Sequence, residues 1–224
     1  IVNEKFEAGT DALLLATDGD VNLNAAVEAT AGDVSVIARD ADIADGDVVG
    51  SVNQNANGDI TAGDDVYVLA EDGSVTMADG TTTTAGGAAG NNVRIEAGDG
   101  DVALSSVVAD NGNVSIKASA DITDNTAAPA GYPTTPESAN ITAAGLRLEA
   151  GGDIGAGDTP DTSDDNVNAI NTAVANIEVD AGGSAYIDEA DGITVGGVGD
   201  IETDELRFAS GTTVDKDDNL TGIL

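Results

Sequence analysis

The sequence predicts an all-β chain wound as a parallel β-helix, a β-solenoid of about eight coils. Three observations predict it. An apolar-x-apolar-x-small pentad recurs along the whole chain, a second apolar element follows each pentad by a fixed step, and a Gly/Asp corner separates the two. Period-two alternation marks a strand with one buried face. A repeat of such units marks a stack in which each unit contacts only its neighbours.

The pentad opens as Leu13-x-Leu15-x-Thr17 and continues as Val34-x-Val36-x-Ala38, Val66-x-Val68-x-Ala70, Val93-x-Ile95-x-Ala97 and Val114-x-Ile116-x-Ala118. It returns as Leu146-x-Leu148-x-Ala150, Ile177-x-Val179-x-Ala181 and Leu206-x-Phe208-x-Ser210. Eight or nine residues later comes the second element: Val21, Ile43, Val75, Val102, Ile122, Ile154, Ala185 (leading into Ile187) and Val214. Corners such as Asp18-Gly19-Asp20, Asp72-Gly73 and Gly151-Gly152-Asp153 suit sharp turns, where Gly tolerates unusual backbone angles and Asp bonds its own backbone. A third element precedes some pentads, as at Ile60-Thr61-Ala62, Ile141-Thr142-Ala143 and Ile201-Glu202-Thr203. Pentad starts are 21 to 32 residues apart, so a fixed part carries a variable arc. A β-sandwich with Gly/Asp turns is the competing architecture, and it gives no reason for a constant step. Strands stacked at about 4.8 Å would make eight coils a rod of roughly 40 Å.

Composition narrows the function. Against 42 acidic residues stand 7 basic ones, a net charge of −35, with 29 glycines, five aromatics and no His, Cys or Trp. Nucleic acid and anionic membrane surfaces demand clustered Lys and Arg, so neither is expected as a partner. No apolar run approaches the ~18 residues of a membrane span. The chain opens at Ile1 without a leader and is expected to be a processed or excised piece.

In the predicted register the second and fourth pentad residues point outward. Signs then alternate from coil to coil, as Arg147, Glu178, Arg207 in one column and Glu96, Lys117, Glu149 in the other, which neutralises a strand face. At the corners Asp18/Asp20, Asp40/Asp42, Asp72, Asp99/Asp101, Asp121 and Asp153 fall along one edge and repel, a repulsion that salt or divalent cations, Ca2+ among them, would relieve. Asp158, Asp161, Asp164 and Asp165 form the candidate metal cluster, although no stretch matches an EF-hand loop or a glycine-aspartate nonapeptide array.

All four prolines lie in two polar arcs, 124–138 and 155–168, expected to stand off the rod where recognition commonly sits. Carboxylates are too abundant for any acid/base pair to stand out, and the Lys and Arg are spent on the strand columns, so the chain is not expected to be an enzyme. Neither end carries an amphipathic cap. End-to-end pairing with further repeats or with another copy is therefore expected.

The runs Gly112-Asn113-Val114-Ser115-Ile116-Lys117-Ala118, Gly32-Asp33-Val34-Ser35-Val36 and Leu146-Arg147-Leu148-Glu149-Ala150-Gly151-Gly152-Asp153-Ile154-Gly155 resemble the filamentous-haemagglutinin-type repeats of large bacterial exoproteins and adhesins. The resemblance covers most of the chain. It implies a right-handed β-helix, export to the cell surface or medium, and a role as stalk, fibre or adhesin. On this reading residues 1–224 are one solenoid, a segment of or building block for a longer fibre. The alternative is an adhesin module that holds a surface polysaccharide or protein through the two proline-bearing arcs.

Overall fold

A computed structural model describes residues 1–40, 50–128, 130, 137–157, 168–208, 212–217 and 220. These residues are all-β, and every strand pairing but one is parallel. Three parallel ladders account for nearly all strands, and the chain visits them in the same order on each round.

The long ladder holds the pentads. Ala12–Ala16, Val34–Ala38, Val66–Ala70 and Val93–Ala97 pair in succession, followed by the second halves of Ser106–Ala118, Ile141–Ala150 and Ile170–Ala181, and last Thr194–Val195. Val34, Val66, Val93, Val114, Leu146 and Ile177 face one another in an unbroken column. The short ladder stacks Val21–Leu23, Val52–Gln54, Val75–Met77, Val102–Leu104 and Ile122–Asp124. Bridges through Val2 below and Ile154 and Ala185 above extend it. A lead-in ladder runs from Phe6–Ala8 through Val27–Ala29, Ile60–Ala62 and Thr82–Thr84. It continues in the first halves of the three long strands and closes on Ile187–Glu189.

Aliphatic side chains from all three ladders meet in one cluster, with Val36, Val68, Ile95, Leu104, Ile116, Ile122 and Leu148 fully buried. Burial of each such side chain contributes roughly 1.5–3 kcal/mol, which lets Val, Ile and Leu replace an aromatic core. One core layer is polar and self-contained: Thr83 Oγ1 donates to Gln54 Oε1 (3.0 Å), and Gln54 Nε2 donates to Gly58 O (3.0 Å).

Side chains also stitch one round to the next at the corners. Ahead of the long ladder, Asp33 N–H donates to Asp11 Oδ1 (3.2 Å) and Asp65 N–H to Asp33 Oδ1 (3.0 Å). Asn92 N–H donates to Asp65 Oδ1 (2.7 Å), and Asn113 N–H to Asn92 Oδ1 (2.9 Å). Ahead of the short ladder the chain of acceptors is Asp20, Ser51, Ser74, Asp101, Asp121 and Asp153, ending on Ser184 N–H. A β-carbon on Gly32 or Gly152 would collide with the carboxylate of Asp11 or Asp121 from the round below. The Gly-Asx-apolar triplet is thus one device. Asx binds the next round's amide, and the next round's Gly leaves it room.

Several expectations are corrected. The first pentad is shifted by one: Ala12, Leu14 and Ala16 stand in register with Val34, Val36 and Ala38, while Leu13 and Leu15 pair with the outward positions Ser35 and Ile37. Three consecutive leucines cannot fix a frame; Asp11, bonded to Asp33, does. Ile43 lies outside the described residues, and Val52 takes the short-ladder place between Val21 and Val75. Ile187 belongs to the lead-in ladder, although Ala185 stands where expected. The final pentad is no ladder strand. Gly196 and Gly197, at φ +87° and +82°, end the long ladder after Val195, because a left-handed pair cannot continue a strand. Beyond them Ile201–Leu206 and Thr212–Asp217 form an antiparallel hairpin that contains the Ile201-Glu202-Thr203 triplet and Val214. Phe208 there is 80% exposed.

The corner acids differ too. Asp20, Asp101, Asp121 and Asp153 do share an edge, but Ser51 and Ser74 interrupt it, and each of these carboxylates accepts an amide instead of facing only its own kind. Asp42 lies outside the described residues.

Candidate functional site

The hairpin lies across the outward face of the long ladder, and the buried ion pairs of the described residues concentrate there. Alternation along each strand sends Ser35, Tyr67, Arg94, Ser115, Arg147 and Glu178 to that face in consecutive rounds. The sequence predicted this direction correctly but expected a solvated column. All six are buried.

The hairpin reaches the face through polar groups. Leu206 N–H donates to Ser35 Oγ (3.0 Å), Tyr67 Oη to Asp215 Oδ2 (3.2 Å), Asn92 Nδ2 to Glu202 O (2.7 Å) and Ser115 Oγ to Asp217 Oδ2 (2.5 Å). Three arginines of the ladder face meet three carboxylates of the hairpin: Arg39 with Glu205 (3.4 Å), Arg94 with Asp215 (3.4 Å) and Arg147 with Asp217 (3.2 Å). Arg147 is 0% exposed and also binds Glu178 (2.9 Å) and the carbonyl of Asp217 (2.9 Å). Such a buried pair adds little net stability, but loss of either partner is strongly penalised.

The expected charge columns survive in part. Arg147 with Glu178 and Lys117 with Glu149 (3.2 Å) are adjacent-round pairs in the predicted register. Glu96, opposite Lys117 in register, bonds Arg94 of its own strand instead (3.2 Å). Arg207 is not in the column: it sits on the hairpin and pairs with Glu205 (2.8 Å).

Burial under the hairpin shifts titrations. The Tyr67 hydroxyl is pushed well above its ordinary range by burial, and the Asp215 and Glu96 charges add to this. Burial works against the Arg94 charge, but Asp215, Glu96 and Asp217 outweigh it and raise its pKa. Beside the hairpin runs an acidic groove of about 420 Å³, lined by Asp65, Asn92 and Asn113 on the ladder side and by Asp200, Glu202, Asp204 and Val214 opposite. Burial pushes the Asp65 carboxyl up to about 6; the Asn92 amide opposes that, and the neighbouring Asp33 and Asp64 charges reinforce it. The groove repels anions, and the arginines under the hairpin are occupied by carboxylates.

Of the predicted metal cluster, Asp158, Asp161, Asp164 and Asp165 all lie outside the described residues. Among the described residues no group of three or more His, Cys, Asp or Glu is arranged to hold a metal ion. No helix among them is long and apolar enough to cross a membrane. The described part of the first proline arc is tied down: Asp124 Oδ1 accepts from Thr126 N–H (2.8 Å), Thr126 Oγ1 (2.7 Å) and Asn140 Nδ2 (2.8 Å). A cleft of about 360 Å³ opens there, between Asp79–Thr82, Ser105, Ser106, Thr126 and Glu137–Ala139. Burial raises the Glu137 pKa, against the pull of its bond from Asn171.

Two features escaped the sequence reading. The hairpin imitates the repeat with Ile201-Glu202-Thr203 and Leu206-x-Phe208; its distinguishing signal is the Gly196-Gly197 break with carboxylates at both Glu205 and Asp217. The inter-round amide bonds were visible as Gly-Asx-apolar triplets, yet their aspartates read as mutually repelling corners. No family model, no curated protein and no solved structure matches this chain.

Proposed function

We propose that the chain is a structural segment, a right-handed parallel β-helix of about eight coils that ends at Val195 and carries the antiparallel hairpin on its outward face, and that it builds a secreted or cell-surface fibre by pairing end to end. The observation that carries the reading is the unbroken register of the long ladder from Ala12–Ala16 to Ile170–Ala181, in which every round offers its successor the same backbone edge. A stack of this kind adds rounds without changing its cross-section, and a repeated edge accepts another copy as readily as another round. The net charge of −35 keeps such fibres apart from one another in water. The resemblance to filamentous-haemagglutinin repeats points the same way.

A second reading rests on the cleft beside the first proline arc, whose hydroxyls and carboxylates suit a surface glycan or a polar protein loop. Electron microscopy of the purified chain at high concentration, with and without calcium, tests the first reading. End-joined rods in multiples of one unit length are expected, and uniform unassociated short rods would overturn it. Deleting 124–138 separates the two readings, since a fibre segment keeps its assembly while an adhesin module loses its ligand.

A further inference from the structure

The hairpin is the one sheet of the described residues with no strand pairing to the ladders. Its hold on them is made by side chains, and the apolar side chains it buries are few: Val198, Ile201 and Leu206. An isolated two-stranded hairpin is marginal in water, so this one depends on the face it covers. That face and the hairpin are complementary in charge, three arginines against three carboxylates. The fit is imperfect: among the described residues Arg94 Nε and Nη1 and Thr203 Oγ1 are buried without a hydrogen-bond partner. Unmade buried bonds cost free energy and weaken the closed arrangement.

The connection to the stack is a glycine pair between two anchored points: Gly196 N–H donates to Ile177 O (2.7 Å), and Val198 N–H donates to Glu178 Oε1 (3.2 Å). Gly196 and Gly197 both sit at positive φ with open space around them, and the residues before them leave Tyr186, Ile193 and Val195 exposed. From these observations we propose that the hairpin exchanges between molecules: the column Ser35, Tyr67, Arg94, Ser115 and Arg147 receives the 201–217 hairpin of a second copy of this chain. The contacts made across two chains are the same as those made within one. Exchange therefore costs association entropy and the repulsion between two chains of net charge −35, which salt screens, offset where a second copy covers the exposed apolar residues beside the glycine pair. This surface is lateral and distinct from the ladder ends that carry axial assembly.

The chain has no cysteine, so a disulfide reports the contact cleanly. Ser35→Cys and Leu206→Cys are introduced singly in two preparations and together in a third, since the Leu206 amide reaches the Ser35 hydroxyl and neither side chain belongs to an ion pair. Under mild oxidation the double variant is expected to close on itself or to link copies. The two single variants, mixed after purification, are expected to form a disulfide-linked pair of unlike chains well above the like-with-like background of either alone. Unlike pairs at background level would overturn the exchange, and so would a double variant that forms no disulfide at all. End-to-end rods seen by microscopy without unlike pairs would leave axial assembly standing and sink only this proposal.

Discussion

The ladder stack and the hairpin laid against it hide their β surfaces in opposite ways. The stack buries Val, Ile and Leu inward and pairs backbone to backbone, round on round. The hairpin turns Thr203, Glu205, Asp215 and Asp217 toward its support and contacts it through side chains. Dispersion and water exclusion act over the whole stack and tolerate local change; a charged interface depends on a few matched pairs. The stack should therefore be stable and forgiving, and the hairpin specific and separable.

The sharpest way to break that contrast is to remove one buried residue from each region. Arg147→Ala leaves Glu178 and Asp217 without their cation, a loss on the order of 3–5 kcal/mol for a buried pair. The expected result is release of the hairpin: amides of 201–217 lose protection from hydrogen exchange by roughly a hundredfold or more, while those of Val93–Ala97 keep theirs. Ile116→Ala, by contrast, opens a cavity in the core and should cost about 2–5 kcal/mol of urea-measured stability across the stack. If Arg147→Ala lowers stack stability as far as Ile116→Ala does, the two regions are one cooperative unit and the contrast is wrong.

The same contrast explains what could be read from the sequence. The stack was legible because its rule repeats: Val66, Val93 and Val114 recur with their Ala partners, and the repetition outvotes any single ambiguous residue. Where the rule was locally degenerate the reading slipped. Leu13, Leu14 and Leu15 offer two frames of equal hydrophobicity, and only the amide bond from Asp33 to Asp11 chooses between them. After Val34 the step does not name the short-ladder strand, because Val52 holds that place between Val21 and Val75. The hairpin obeys no repeat. Its place is set by pairs such as Arg147 with Asp217, 70 residues apart, and no local pattern announces a partner at that distance. Asp158, Asp161, Asp164 and Asp165 stand out by carboxylate density, a weak signal in a chain with 42 acidic residues.

A smaller effect sharpens the stack side. In the acceptor column ahead of the long ladder, Asp11, Asp33 and Asp65 do the same work as Asn92. Asp65 is the costly member, its carboxyl held near 6 chiefly by burial. A carboxyl whose folded pKa lies above its unfolded value of about 3.9 binds more protons in the folded state between those limits, so stability falls as pH rises from about 4 to about 6. Asp65→Asn keeps the acceptor for the Asn92 amide and drops the charge. Solvent reaches part of the group and screens its charge, so the gain at pH 7 should be about 0.5–1.5 kcal/mol, with that part of the pH profile flattened in urea titrations. No gain at pH 7 would mean that the charge is used, and the acidic groove with Asp204 would be where.

The smallest effect belongs to the pair the sequence singled out most readily. Lys117 and Glu149 stand in register on adjacent rounds 3.2 Å apart, with Lys117 about half exposed at its side chain (49%). Water and salt screen such a pair, and its net worth is about 0–1 kcal/mol. Lys117→Ala should shift the urea midpoint barely, and less still in 1 M salt, although the pair looks on paper much like Arg147 with Glu178. The two differ in cation, Lys against Arg, in their place along the strand, and in what lies above them. One is open to water and the other sits under the hairpin, so a double-mutant cycle on each pair measures how far that cover, more than the ladder itself, turns a charge column into a lock.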